Sequence, residues 1–178
     1  MVEERLGSLG LSAYGAADGF RHEYRAQSNG LRMTNLVGVL PGRDRSLPPL
    51  LLGAHYDSVI DAPCAGDNAV AVAVLLEVAA RLVGAPLERD VLFVAFDAEE
   101  PPYFKTESMG SERLVADVLR GPVHLAVILD LVGHAMDVPG LPLDPDLIFV
   151  TGAESHPALP ALLGGLDLPT AGLAWPGR

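Results

Sequence analysis

Residues 91–100 have the sequence VLFVAFDAEE, in which six apolar residues are followed by three carboxylates in four positions. An apolar run of this length is typical of a strand that is buried on both faces of a sheet. The carboxylates come where the predicted strand ends. In open α/β sheets, ligands bind at the edge formed by the carboxyl ends of the strands. This stretch therefore predicts a buried strand with an acidic site at its end.

Predicted strands and helices alternate along the whole chain. The strands are predicted at residues 20–27, 34–40, 50–54, 90–96, 125–131 and 147–151, and the helices at 68–83 and 108–119. This alternation predicts an α/β fold with a mostly parallel central sheet and helices on both faces. The first two strands, joined by a turn at residues 28–30, are expected to form an antiparallel pair at one side. No linker interrupts the pattern, so residues 1–178 are expected to form a single domain.

The composition restricts the classes of partner. The net charge is −11, which argues against nucleic acid or an anionic membrane surface as a partner. The single cysteine, Cys64, excludes an intramolecular disulfide. The longest apolar run is too short to span a bilayer. The charged N-terminal residues lack the apolar region of a signal peptide, so the cytoplasm is the default location.

Two acidic positions and a histidine follow the strand predicted at residues 50–54. His55 and Asp57 are two apart, so in an extended segment their side chains point to the same side. Asp57 can then accept the second N–H of the imidazole, as is usual for a zinc histidine. A histidine that caps a strand end explains the same pair. Asp67 is expected to be the N-cap of the helix predicted at 68–83, although its two oxygens can also bridge two metal ions.

Three further carboxylates end the next two predicted strands. Glu99 and Glu100 are adjacent, so their side chains diverge, and one can bind a metal ion while the other acts as a general base. A solvated acidic pair is the alternative. Asp130 ends an apolar run, where an ionised carboxylate is costly unless a metal ion or a hydrogen bond pairs with it. Together, these strand ends predict a zinc-type ligand set at one edge of the sheet.

The order and spacing of these motifs resemble the two-zinc aminopeptidases of metallopeptidase family twenty-eight. The matching stretches are TNLVGVLPG at residues 34–42, GAHYDSV at 53–59, GDNA at 66–69, LLE at 75–77, FVAFDAEE at 93–100, MGS at 109–111 and LDLVG at 129–133. The resemblance implies the zinc-exopeptidase fold, a peptide substrate, two zinc ions and release of an N-terminal residue.

The resemblance also implies a role for each residue. His55 and Asp130 would hold different zinc ions, and Asp67 would bridge the two ions. Glu100 would complete the first site with His55. Glu99 would be the general base and later the acid, and Asp57 would orient His55.

One ligand of the family pattern has no counterpart before Arg178, the last residue of the sequence. Family members have a Ser-Asp-His segment whose histidine binds the zinc ion held by the equivalent of Asp130. The domain is therefore expected to lack its C-terminal part, to keep one zinc ion or none, and to be catalytically incomplete. His134, four residues after Asp130, is the remaining candidate substitute. A truncated sheet would expose an edge, so homo-oligomers are expected.

Two other functions remain open at this point. Glutaminyl cyclases share the fold and would use one zinc ion held by equivalents of Asp67, Glu100 and the same missing histidine. The segment Gly66-Asp67-Asn68 favours the peptidase. A non-catalytic binding domain of the same fold is the third alternative, since the family's serine and glycine are replaced by Val70 and Ala71.

Overall fold

A six-stranded sheet forms the framework of the first of two units in the computed structural model. The structure describes residues 1–15, 19–133, 148–151, 159–165 and 170–173. The units are Met1–Val132 and Gly133–Arg178. The strands of the first unit are β1 (Ser12–Ala13), β2 (Arg21–Arg25), β3 (Arg32–Leu40), β4 (Leu50–His55), β5 (Val91–Phe96) and β6 (Leu125–Ile128). Its helices are α1 (Val2–Ser8), α2 (Val70–Leu82) and α3 (Gly110–Asp117).

The sheet is mixed, with its parallel part on the side that carries the acidic residues. The strand order is β1-β3-β5-β4-β6, and β2 also pairs with β3. Strands β4, β5 and β6 are parallel, whereas β3 is antiparallel to β1, β2 and β5. The predicted antiparallel pair at one side is therefore confirmed as β2 and β3. The carboxyl ends of β4, β5 and β6 lie at one edge, as the α/β prediction requires.

Strand β5 shows why this sequence forms a two-faced core. All six of its residues are buried. Val91, Phe93 and Ala95 pack on one face with α1 and α2, while the alternating Leu92, Val94 and Phe96 pack on the other face with α3. A strand with side chains that alternate between two buried faces must be apolar throughout. The predicted covering of both faces by helices is confirmed.

The predicted N-cap at Asp67 is wrong. Helix α2 begins at Val70, its N-cap is Ala69, and no side chain caps it. Asp67 lies in an irregular segment, Ala65–Ala69, with φ −126° and ψ 85°, and its peptide bond to Asn68 is cis. Its carboxylate is therefore not used on the amides of the helix.

Some element boundaries also differ from the prediction. Strand β6 ends at Ile128 and does not continue to residue 131, because the chain turns at Leu131, which has φ 49°. Strand β6 is also an edge strand, and Ile128 is 55% exposed. The expected self-association stays a prediction.

Every helix in the described parts of the chain is too short or too polar to cross a membrane.

The second unit contains a parallel pair of strands in its described residues. Strand β7 (Ile148–Thr151) pairs with β8 (Thr170–Leu173), and helix α4 (Leu159–Gly164) lies between them in sequence. A parallel pair with an intervening helix is the order of a βαβ unit. The observed β7 confirms the strand predicted at residues 147–151. His134 lies outside the described residues, and the single-domain expectation for residues 1–178 stays a prediction.

Gly110 offers a test of how β5 and α3 are joined. A Cβ atom at Gly110 would lie 2.2 Å from the backbone oxygen of Asp97 and 2.4 Å from Oδ1 of Asn35. We expect Gly110→Ala to lower the free energy of unfolding by about 1–3 kcal/mol, the usual range for overpacking. Urea unfolding followed by circular dichroism measures this change.

Gly121→Ala is the matched control, because in the described parts of the chain no atom beyond its sequence neighbours lies within 4 Å of a Cβ atom at Gly121. Equal stability changes in the two variants would contradict the close approach at Gly110.

Candidate metal centre

The three parallel strands bring the predicted site residues to one edge of the sheet. His55 is the last residue of β4, Glu99 and Glu100 follow β5, and Asp130 is the second residue after β6. Asp67 comes from the irregular segment that precedes α2. The residues are therefore distant in sequence and meet because the strands are parallel.

The imidazole of His55 lies at the centre of this group. Its Nε2 atom lies 3.0 Å from Oδ1 of Asp67, 3.5 Å from Oδ1 of Asp130 and 3.9 Å from Oε2 of Glu99. The His55 side chain is 4% exposed, whereas those of Asp67 and Asp130 are 46% and 52% exposed. A buried imidazole thus directs one nitrogen at carboxylates that remain open to solvent.

Potential ligand atoms form two overlapping groups. Within each group, the atoms lie within 4.8 Å of one another: His55, Glu99 and Glu100 in one group, and His55, Asp67 and Asp130 in the other. The four predicted zinc ligands and the predicted base therefore lie close together. Imidazole nitrogen and carboxylate oxygen are donors that zinc accepts, so the residues fit this metal.

The second group bears on how the ligands are divided between two ions. The resemblance implies that His55 and Asp130 hold different ions, yet both lie with Asp67 around one point. The other group places His55 with Glu99 and Glu100. His55 thus belongs to both groups, and the division of the ligands between two ions stays a prediction.

Asp57 connects His55 to the two glutamates. Its Oδ1 accepts the backbone N–H of Glu99 at 3.1 Å, and its Oδ2 accepts that of Glu100 at 2.9 Å. The Nδ1 atom of His55 lies 3.5 Å from Oδ1 and 3.2 Å from the backbone oxygen of Asp57. The same carboxylate thus faces the ring nitrogen of His55 and fixes the backbone of both glutamates.

These contacts shift the pKa values of both partners. Burial alone would lower the pKa of His55, but its hydrogen bond with Asp57 and the charges of Glu99, Asp57 and Asp130 raise that pKa to about 9. Burial alone would raise the pKa of Asp57, but hydrogen bonds from His55 and the amides of Glu100 and Glu99 hold it below its usual value. The metal-free site therefore favours a protonated imidazole at His55 beside the ionised carboxylate of Asp57.

Burial and the surrounding carboxylates raise the pKa values of both glutamates. Burial raises the pKa of Glu99, and Asp130, Glu100 and Asp57 add to this against the charge of His55. Burial and the neighbouring Asp67 raise the pKa of Glu100. Like charges at these distances disfavour further ionisation, and a bound cation would relieve the repulsion.

Sequence reasoning missed the buried residue Asn35, which holds the loop after β5. Asn35 is fully buried, its Nδ2 donates to the backbone oxygen of Gly110 at 2.7 Å, and its Oδ1 accepts the N–H of Asp97 at 3.0 Å. Asp97 in turn accepts the N–H of Thr34 at 2.7 Å. A polar residue directly before the run LVGVL of β3 was the available signal, since a buried amide needs partners.

Asn68 was also missed. It is buried, and its Nδ2 donates to the backbone oxygen of Leu129 at 3.1 Å. This hydrogen bond joins the residue after Asp67 to the residue before Asp130. The spacing of Asp67 and Asp130 therefore depends on the side-chain amide of Asn68, which is not itself a predicted metal ligand.

Asp57 provides a prediction about the electrostatics of the site. We expect Asp57→Asn to lower the pKa of His55 from about 9, because a negative charge and a hydrogen-bond partner are lost. A ¹⁵N NMR titration of the imidazole in metal-free protein measures this pKa. Asp44→Asn, which removes an exposed carboxylate bonded to Ser46, is the control and should leave it unchanged. An equal His55 pKa in both variants would contradict the role of Asp57.

Comparison with known proteins agrees with the motifs. The family model of Peptidase family M28 matches residues 35–156. The uncharacterized protein YfbL of Escherichia coli is 39% identical over 101 residues, which cover 52% of this chain and 31% of YfbL. Endoplasmic reticulum metallopeptidase 1 of mouse is 32% identical over 126 residues, which cover 69% of this chain and 13% of the mouse protein.

The solved structure of a zinc aminopeptidase from Bacillus subtilis, BSAP, has the same fold. It matches with a TM-score of 0.52 and 29% identity, over 60% of this chain and 26% of BSAP. The chain thus spans less than a third of the length of each of these relatives. The resemblance inferred from the sequence motifs is confirmed by a family match over more than half of the chain, and the chain belongs to peptidase family M28.

Proposed function

We propose that this chain carries metal-binding and proton-transfer residues of a zinc-dependent aminopeptidase, which hydrolyses the N-terminal peptide bond of a peptide substrate, with one histidine of the family pattern still expected to be missing. One observation carries the proposal: Nε2 of the buried His55 faces Asp67 and Asp130, with Glu99 beside them. A histidine, two carboxylates and an adjacent third carboxylate are the groups that metal-assisted hydrolysis requires. Membership of a metallopeptidase family supports the same chemistry.

The ligands are divided between two zinc positions in this proposal. His55, Asp67 and Asp130 would hold one ion, because their donor atoms lie within 4.8 Å of one another. Asp67 would also contribute to the second position, together with Glu100. This division differs from the one implied by the resemblance, in which His55 and Asp130 bind different ions. Asp57 orients His55 through its Nδ1 atom.

Glu99 transfers protons in this mechanism. Zinc, when bound, lowers the pKa of water and polarises the scissile carbonyl. Glu99 accepts a proton from the attacking water and then donates it to the leaving amine. In the metal-free site, burial and the neighbouring Asp130 raise the pKa of Glu99. The hydrogen bond from its backbone N–H to Asp57 fixes its position.

The position of His55 favours the peptidase over a glutaminyl cyclase. A cyclase with one zinc ion would use Asp67 and Glu100 and would leave His55 without a metal. In this structure, His55 is buried and has its Nε2 atom 3.0 Å from Asp67. A two-zinc peptidase would use this imidazole as a ligand, and this is the observation that favours the peptidase. Assays with an N-terminal glutaminyl peptide and an aminoacyl anilide distinguish the two reactions.

Glu99→Gln tests the proposed base. We expect kcat for an aminoacyl anilide to fall at least about a hundredfold, because general acid–base catalysis contributes roughly 10²–10⁴-fold. Zinc content should stay unchanged, since Glu99 is not a ligand in this proposal. Glu107→Gln, which changes an exposed glutamate in the same loop, is the control. Retained activity in Glu99→Gln would reject this mechanism.

Zinc affinity tests the ligand assignment separately from activity. Loss of a group that only orients a ligand costs roughly 10–100-fold in metal affinity, and we expect this of Asp57→Asn. Asp67→Asn should cost more, because Asp67 contributes to both positions. Competition with a chromophoric chelator gives the affinities, and elemental analysis gives the number of ions. Equal zinc binding by Asp67→Asn and unsubstituted protein would contradict the assignment.

A further inference from the structure

A small cavity opens directly beside the candidate metal centre. It has a volume of about 190 Å³, and its lining includes His55, Glu99 and Asp130 of that centre. The apolar side chains of the lining are Phe96, Phe104, Met109 and Ile128. Pockets for drug-sized ligands measure about 300–1,000 Å³, so this cavity suits a single side chain.

The segment that follows the two glutamates supplies Phe104 and Met109 to this lining. Successive turns hold the segment: the N–H of Tyr103 donates to Glu100 at 3.0 Å, that of Thr106 to Tyr103 at 2.9 Å, and that of Met109 to Thr106 at 3.0 Å. The hydroxyl of Tyr103 also accepts a hydrogen bond from Asn29 at 2.7 Å. These hydrogen bonds therefore hold the backbone of the segment that carries Phe104 and Met109.

We propose that Phe104 and Met109 form a specificity pocket for one large apolar side chain next to the scissile bond. The inference rests on the proposed peptidase function and adds the substrate class to it. The polar residues of the lining belong to the candidate metal centre, where the peptide group itself would lie. A side chain attached to that group would enter the cavity that Phe104 and Met109 also line. Phe104 is 46% exposed, so an apolar side chain beside it would remove exposed apolar surface from water.

Dipeptide binding by zinc-loaded Glu99→Gln protein tests the pocket without turnover. Isothermal titration calorimetry compares Phe-Ala, Ala-Phe and Ala-Ala. We expect one of the phenylalanyl dipeptides to bind about tenfold more tightly than Ala-Ala, as burial of most of an aromatic side chain predicts. Preference for Phe-Ala assigns the pocket to the N-terminal residue, and preference for Ala-Phe assigns it to the residue after the scissile bond.

Substitutions in the same background test the residues of the wall. Phe104→Ala should remove most of the tenfold preference, and Phe104→Leu should keep most of it. Val115→Ala, which changes an exposed apolar residue of α3 outside the cavity wall, should keep all of it. Equal affinity for the three dipeptides, no measurable binding of any of them, or an unchanged preference in Phe104→Ala would overturn the pocket.

The pocket and the proposed reaction fail in different ways. If protein with Glu99 intact binds a phenylalanyl dipeptide preferentially but does not cleave it, the peptidase proposal fails and the pocket stands. If it cleaves all three dipeptides with equal kcat/KM, the peptidase proposal stands and the pocket is overturned.

Discussion

The carboxylate of Asp57 is the contact on which the geometry of the candidate metal centre depends. It accepts the backbone N–H groups of Glu99 and Glu100 and lies beside Nδ1 of His55. A hydrogen bond to a charged group contributes about 1.5–3 kcal/mol, and its loss leaves a buried donor unpaired. Because β4 and β5 are adjacent parallel strands, one carboxylate at the end of β4 can reach the loop after β5. The sheet register and the site geometry are therefore set together.

The second constraint is the concentration of negative charge around one imidazole. Asp67, Glu99 and Asp130 all lie within 4 Å of Nε2 of His55. The carboxylates raise the pKa of His55, and burial together with the neighbouring carboxylates raises the pKa of Glu99. A fold that needed only stability would reduce such repulsion with apolar or neutral residues. A cation site requires such negative charges, since a divalent ion stabilises carboxylates that otherwise repel one another.

The sequence predicted the strand ends well because hydrophobic runs mark buried strands directly. The apolar run in β5 and the carboxylates after it were enough to place Glu99 and Glu100 at a sheet edge. Parallel pairing then brought His55 and Asp130 to the same edge. The conformation of Asp67 was not predictable from its position before a helix. An N-cap and a metal ligand have the same sequence signature there, and only the backbone dihedral angles separate them.

The supporting amides could not be derived from periodicity for a related reason. Asn35 and Asn68 act through backbone atoms of Gly110 and Leu129, which are distant in sequence and have no side-chain signal. Gly110 is required because Asn35 and Asp97 approach its backbone closely. Such contacts depend on how α3 and β6 are placed against the sheet, which is a property of the packed fold. The candidate ligands were therefore predicted from the sequence, whereas the groups that set their spacing were not.

The segment between Glu100 and α3 connects the candidate metal centre to the proposed pocket. The first turn of this segment hydrogen-bonds to the backbone oxygen of Glu100, and its last residue, Met109, is the N-cap of α3. Gly110 then bonds back to Asp97 at 2.9 Å, so the segment is a closed loop that starts and ends at β5. This hydrogen bond closes the loop and so positions Phe104 relative to Glu99 and Glu100. Substitutions that loosen the closure would therefore change both the position of the glutamates and the shape of the cavity, whereas shortening the side chain of Phe104 changes the cavity alone.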